Sequence, residues 1–169
     1  MILEVIFLLL PAALANMVLP LFKKIKFLSS PVDFGLTFRG KRVFGDHKTW
    51  RGLVFGTIVA IVAVYVERAF GVFPGFSEYG FVVLGIVLGL GSLLGDMVES
   101  FVKRQIGREP GSSWLVWDQI DWIIGSLGLL SLLEPVGVEY WLWGLLVYGV
   151  LHIVSHAVGY YVGVNKDRI

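Results

Sequence analysis

The sequence contains no cysteine, which excludes disulfide bridges and thiolate metal centres. It is also poor in charge: Asp, Glu, Lys and Arg make up 16% of its 169 residues, where soluble domains carry about 25%. No Ser-His-Asp or Cys-His arrangement offers an activated nucleophile. There is no low-complexity segment and no convincing internal repeat. Met1 to Leu10 lacks the basic n-region and small-residue cleavage site of a signal peptide, so this stretch is expected to be a retained helix.

Apolar side chains are abundant. Hydrophobic residues make up 56% of the chain, its mean hydropathy is +0.78, and they fall in long blocks. The expected fold is all-α and integral to the membrane, with residues 1–169 forming a single domain. About five transmembrane helices are expected, near Ile2 to Phe22, Trp50 to Val66, Tyr79 to Val98, Trp117 to Leu133 and Tyr140 to Val162. The second and fourth are short for a core that needs ~20 residues, so as spans they imply either a locally thin membrane or a water-filled polar cavity reaching inward.

Loop charge predicts orientation. Lys23, Lys24, Lys26, Arg39, Lys41, Arg42, Lys48 and Arg51 crowd the long loop 23–51. Lys103, Arg104 and Arg108 occupy the loop expected over 99–117, and Lys166 and Arg168 the tail. Glu4, Glu67, Glu78, Glu134 and Glu139 fall on the other side. The positive-inside rule then puts the amino terminus outside and the carboxyl terminus in the cytoplasm. Both basic loops share that face, where they can build one site at the mouth of a cavity open to the cytoplasm. Glycines four apart, such as Gly91 and Gly95 or Gly85 and Gly89, allow close helix packing and leave a homodimer possible.

The chemistry sits where charge meets apolar helix. Asp96 and Glu99 are three apart, and Ser100 and Lys103 continue their helical face. Asp118 and Asp121 repeat that spacing. Carboxylates at a membrane edge are costly to place and usually functional. Hard oxygen donors in this pattern suit Mg²⁺, which takes a few carboxylates together with substrate phosphates; interhelical ion pairing is the bland alternative. Lys103, Arg104 and Arg108 follow by one turn, where they can hold phosphates or merely obey the positive-inside rule. Glu109 to Ser113 reads as a tight turn. Lys48, Thr49 and Arg51 would stand at a helix amino terminus, a natural phosphate site, with His47 a lesser candidate. His152 and His156 lie four apart but lack a third ligand, so helix packing is favoured over zinc.

The run Gly95-Asp96-x-x-Glu99-Ser100-x-x-Lys103-Arg104, then Pro110-Gly111 and Asp118-x-x-Asp121, resembles the signature of the membrane CTP-dependent phosphatidate cytidylyltransferase superfamily. The loop Pro31-x-Asp33-x-Gly35, Arg39-Gly40-Lys41-Arg42 and Gly45-x-x-Lys48-Thr49-x-Arg51-Gly52 is similar to its archaeal branch. Three departures from the bacterial and eukaryotic pattern, at Arg108-Glu109, Ser112-Ser113-Trp114 and Asp118-Gln119-Ile120-Asp121, also favour that branch. The resemblance implies a multi-pass enzyme of the cell membrane that transfers CMP from CTP to an isoprenoid ether-lipid glycerol phosphate, releasing pyrophosphate. It implies Mg²⁺ on Asp96 and Asp118, with Asp121 and Glu99 as further ligands, and catalytic roles for Asp96, Lys103, Asp118 and Asp121. Lys48, Thr49, Arg51 and Arg104 would hold phosphates, with Arg39, Lys41 and Arg42 covering the nucleotide.

Diacyl phosphatidic acid is the nearest alternative substrate. A CDP-alcohol phosphotransferase is disfavoured because its Asp-Gly-x-x-Ala-Arg pattern is missing. A small transporter or channel subunit would place ionisable groups near mid-membrane, whereas these crowd one face. A nucleic-acid partner is not supported, because the basic loop belongs to a membrane bundle.

Overall fold

The computed structural model describes residues 1–76, 78–108, 114 and 117–161, and only the backbone of 152, 153 and 155–161. The expected turn at Glu109 to Ser113, the side chains of His152 and His156, and Lys166 and Arg168 lie outside the described residues.

Five α-helices are present among the described residues: α1 (Ile2–Met17), α2 (Trp50–Ala69), α3 (Phe81–Gln105), α4 (Trp117–Leu130) and α5 (Val138–Tyr161). The chain is mostly helical, and three stretches are long and apolar enough to cross a membrane: Ile2–Phe22, Trp50–Ala69 and Phe81–Gln105. Val138–Leu151 is a shorter apolar helix. Apolar side chains cover the outside of the bundle as well as its core. Val54, Ile58 and Val62 make an exposed stripe down α2, the pattern of a helix that meets hydrocarbon rather than water.

Inside, Val5, Leu8, Leu9 and Ala12 of α1 interlock with Val64, Leu84, Leu88, Ile123, Leu127 and Leu130, all with zero exposure. Trp122 meets Tyr148 edge-on at 5.0 Å, and the Tyr148 hydroxyl donates to the Ile6 carbonyl at 2.8 Å. This ties α5 across α1 and α4.

The crossing of α3 and α4 is the tightest in the bundle's charged half. A Cβ added to Gly95 would overlap the Asp121 carbonyl oxygen, and one on Gly125 would overlap that of Gly91. Three glycines therefore let two backbones touch, as small-xxx-small spacing permits in lipid. Further up α3, a Cβ on Gly89 would stand 2.8 Å from that of Ala60, so α2 is drawn in as well.

Three segments depart from expectation. α2, expected to end at Val66 and to be short, runs to Ala69 and at 20 residues is long enough to cross a membrane. The polar run after Val98 is not loop: α3 continues to Gln105, because Glu99, Lys103 and Arg104 are buried instead of facing solvent. The long loop carries a small antiparallel hairpin, β1 (Thr37–Phe38) and β2 (Lys41–Arg42). Its two-residue turn has Arg39 and Gly40 both at positive φ (52° and 76°), the combination that matches strand twist in a tight hairpin.

Replacing Gly95 with Val should wedge α3 from α4. Overpacking of this kind costs typically ~1–3 kcal/mol. The expected result is a lowered Tm in detergent, while Gly128→Val, at a position with no close backbone neighbour, keeps Tm near wild type.

Candidate active site

Three elements build the site. α3 presents Asp96, Glu99, Lys103 and Arg104, α4 presents Asp118 and Asp121, and the loop before α2 delivers Lys48. They surround a cavity of about 660 Å³ that opens to the surface, within the size range of small-molecule sites.

Oxygens of Asp96, Glu99 and Asp121 all lie within 4.8 Å of one another. The helical spacing and the glycine crossing together bring them there, since the chain touches α4 at the Asp121 carbonyl itself. The Trp122 N–H donates to Asp121 Oδ1 at 2.6 Å. Two lysines balance the negative charge. Lys48 Nζ pairs with Asp96 Oδ2. Lys103 Nζ bridges Glu99 and Asp118, while Asp118 also accepts from the Trp114 N–H at 2.9 Å. Three convergent carboxylates with all-oxygen donors fit a hard divalent cation. Asp118 stands beside this trio in its pairing with Lys103.

Of the other expected phosphate ligands, Arg51, Thr49, Lys41, Arg42 and Arg39 are engaged away from the carboxylate cluster. Arg51 donates to the carbonyls of Lys23 and Ile25, which ties the end of the first apolar stretch to the start of α2. Thr49 caps α2 by accepting from the Gly52 N–H at 3.2 Å. Lys41 Nζ donates to the Gln105 carbonyl at 2.7 Å, at the negative end of the α3 dipole. Arg42 pairs with Asp33 and Asp46 at 2.8 and 2.7 Å. Arg39 lies over the Phe38 ring, 5.3 Å from its centroid. Arg104 is buried on the cavity wall, and His47 lines the cavity from the loop.

Sequence reasoning gave no role to Asp33 beyond its place in the loop motif, yet it organises that loop. Its buried carboxylate accepts from Arg42 and from the N–H groups of Gly35, Phe44 and Gly45, at 2.8 to 3.0 Å. Burial on its own would raise the Asp33 carboxyl. The Arg42 guanidinium and the three N–H donors outweigh it and hold the group well below the usual carboxylate range. An extended pairing then carries the chain from this hub to the site: Val32 N–H to the Lys48 carbonyl at 2.8 Å and Trp50 N–H to the Ser30 carbonyl at 3.1 Å. Asn16, on the cavity wall, was also missed. Its signal was available, as a lone amide inside an apolar span is expensive there and often functional.

Fold and site together are those of a helical membrane enzyme with a charged cavity at one end of its bundle. The chain belongs to the CDP-archaeol synthase family, whose model matches residues 1–168. It is 38% identical to a CDP-archaeol synthase of Methanosphaerula palustris over 168 residues, covering 92% of this chain and 97% of the relative. It is 34% identical to that of Methanoculleus marisnigri over 148 residues, covering 81% and 88%. A solved structure described as an intramembrane enzyme for archaeal membrane lipid biosynthesis superposes with a TM-score of 0.76 at 32% identity, covering 92% of this chain and 94% of that one.

A depressed carboxylate pKa stabilises the folded loop at pH values above its unfolded value of ~3.9, and that contribution is lost as pH falls through the lower folded value. Proteolysis within residues 33–46 should therefore stay slow and constant from pH 8 to 5 in wild-type protein. Asp33→Asn should speed cleavage across that whole range. Equal rates in the two proteins would remove Asp33 as the organiser of the loop.

Proposed function

We propose that this chain transfers CMP from CTP to the phosphate of an isoprenoid ether-lipid glycerol phosphate, giving a CDP-archaeol-type lipid and pyrophosphate. The observation that carries the reading is the meeting of Asp96, Glu99 and Asp121 with Lys48 at one cavity, in a chain of the CDP-archaeol synthase family.

The reaction suits these residues. An oxygen of the lipid phosphate attacks the α-phosphorus of CTP, the bond from that phosphorus to the bridging α–β oxygen breaks, and pyrophosphate leaves. The attacking phosphate monoester is already largely ionised at neutral pH, its second pKa being ~6, so no protein base is needed. What the protein supplies is placement and charge neutralisation. Mg²⁺ held by Asp96, Glu99 and Asp121, with Asp118 adjoining, would offset charge on the α-phosphate and the departing pyrophosphate. Lys48 and Lys103 are pre-oriented by their carboxylate partners and face the same cavity, where they neutralise phosphate oxygens. Arg104 adds a third cation on the wall.

The bundle crosses the membrane five times, with the amino terminus outside and the site facing the cytoplasm, where CTP is available. The excess of Lys and Arg in the loop 23–51 supports that orientation through the positive-inside rule. α4 has 14 residues, or ~21 Å at 1.5 Å per residue, less than a ~30 Å hydrocarbon core. That shortfall supports an aqueous recess around Asp118 and Asp121.

Purified protein in detergent with Mg²⁺ and labelled CTP should move label into a CDP-lipid, and EDTA should stop it. Ether-lipid phosphate is expected to outpace diacyl phosphatidic acid; the reverse order would reassign the lipid. Lys48→Ala should lower kcat/KM for CTP by roughly ten- to a hundred-fold, the range for losing one charge-assisted contact of ~1.5–3 kcal/mol. Unchanged kinetics would return Lys48 to a structural role.

A further inference from the structure

We infer that Asn16, locked by Ser92, reads the cytosine edge of the nucleotide and makes the enzyme prefer CTP to UTP. The inference rests on the CMP-transfer reading above and assigns the base specificity of the same cavity.

Asn16 lies at the end of α1 and lines the cavity that holds Asp96 and Lys48. Its Nδ2 donates to Ser92 Oγ at 2.9 Å. Ser92 is fully buried and its Oγ donates to the Ala12 carbonyl at 3.0 Å. A hydroxyl has one proton to give. Since Ser92 spends its proton on Ala12, it can only accept from Asn16, which fixes the otherwise ambiguous amide with nitrogen toward Ser92. The Asn16 oxygen and the second amide hydrogen are then left to the cavity, where no other described residue bonds them.

An acceptor beside a donor is the complement of cytosine, which offers the 4-amino donor next to the N3 acceptor. Uracil reverses both, placing an oxygen where cytosine has its amine. Had the amide been free to rotate, it would serve either base, and the Ser92 lock is what makes it selective. The position is suitable too. Asn16 and Asp96 line the same cavity, so one nucleotide can place its base at Asn16 and its phosphates at the carboxylates. A buried site built to pair a polar group rejects the analogue that cannot pair.

The test measures kcat/KM with CTP and with UTP, at saturating lipid phosphate, for wild type, Asn16→Leu and Ser92→Ala. The ratio within each protein is independent of how much of it is folded. Wild type should prefer CTP. Asn16→Leu should shrink that preference by roughly ten- to a hundred-fold, the range set by one unpaired polar group, and Ser92→Ala should shrink it by a smaller factor. An undiminished preference in Asn16→Leu, or equal use of CTP and UTP by wild type, would overturn the inference while leaving CMP transfer intact. Transfer from neither nucleotide by wild type would take down the proposed function and this inference with it.

Discussion

Everything at the site depends on the contact between the α3 and α4 backbones. Asp96 and Glu99 belong to one helix and Asp121 to the other, and their oxygens converge only because Gly95 rests on the Asp121 carbonyl. In lipid no hydrophobic force drives helices together, so close van der Waals packing across small residues does it instead. The same contact sets the depth of Asp118 and Asp121 relative to Lys103. A side chain at Gly91, Gly95 or Gly125 would separate the acidic groups before it disturbed any of them directly.

Such a cluster needs countercharge. Carboxylates crowded in a partly buried cavity repel strongly, and Lys48 and Lys103 offset that repulsion through their pairs with Asp96, Glu99 and Asp118. These pairs fix the carboxylates and the two lysines in one arrangement on the cavity wall. The basic loop works at one remove. Of its cations described here, Lys48 reaches the cluster, while Arg42, Lys41 and Arg51 fasten the loop to itself, to α3 and to the chain after α1. Preorganisation of this sort lowers the ordering cost that substrate binding would otherwise carry.

Much of this was legible in the chain. Apolar blocks located the starts of all five helices to within two residues, and i, i+3 spacing put Asp96 with Glu99 and Asp118 with Asp121. What the pattern could not resolve was the division of labour among the cations. Lys48 and Arg51 look alike in sequence, but one points at a carboxylate and the other at two carbonyls, a difference decided by loop folding around Asp33. The helical run from Glu99 to Gln105 was hidden because its polarity reads as solvent-facing, whereas burial against a neighbouring helix produced it. Asn16 was hidden by the opposite effect, a single amide in an apolar span whose partner, Ser92, lies 76 residues away.

The most direct measurement is Mn²⁺ binding by electron paramagnetic resonance to the purified protein, compared with Asp121→Asn and with Gly95→Val in the fraction that remains folded. If the helix crossing assembles a divalent-cation site, wild type binds one equivalent saturably, Mg²⁺ competes it away, and both variants bind markedly more weakly. Mn²⁺ binding that is missing in wild type, or equally strong in Asp121→Asn, would contradict the assignment of these carboxylates to a metal.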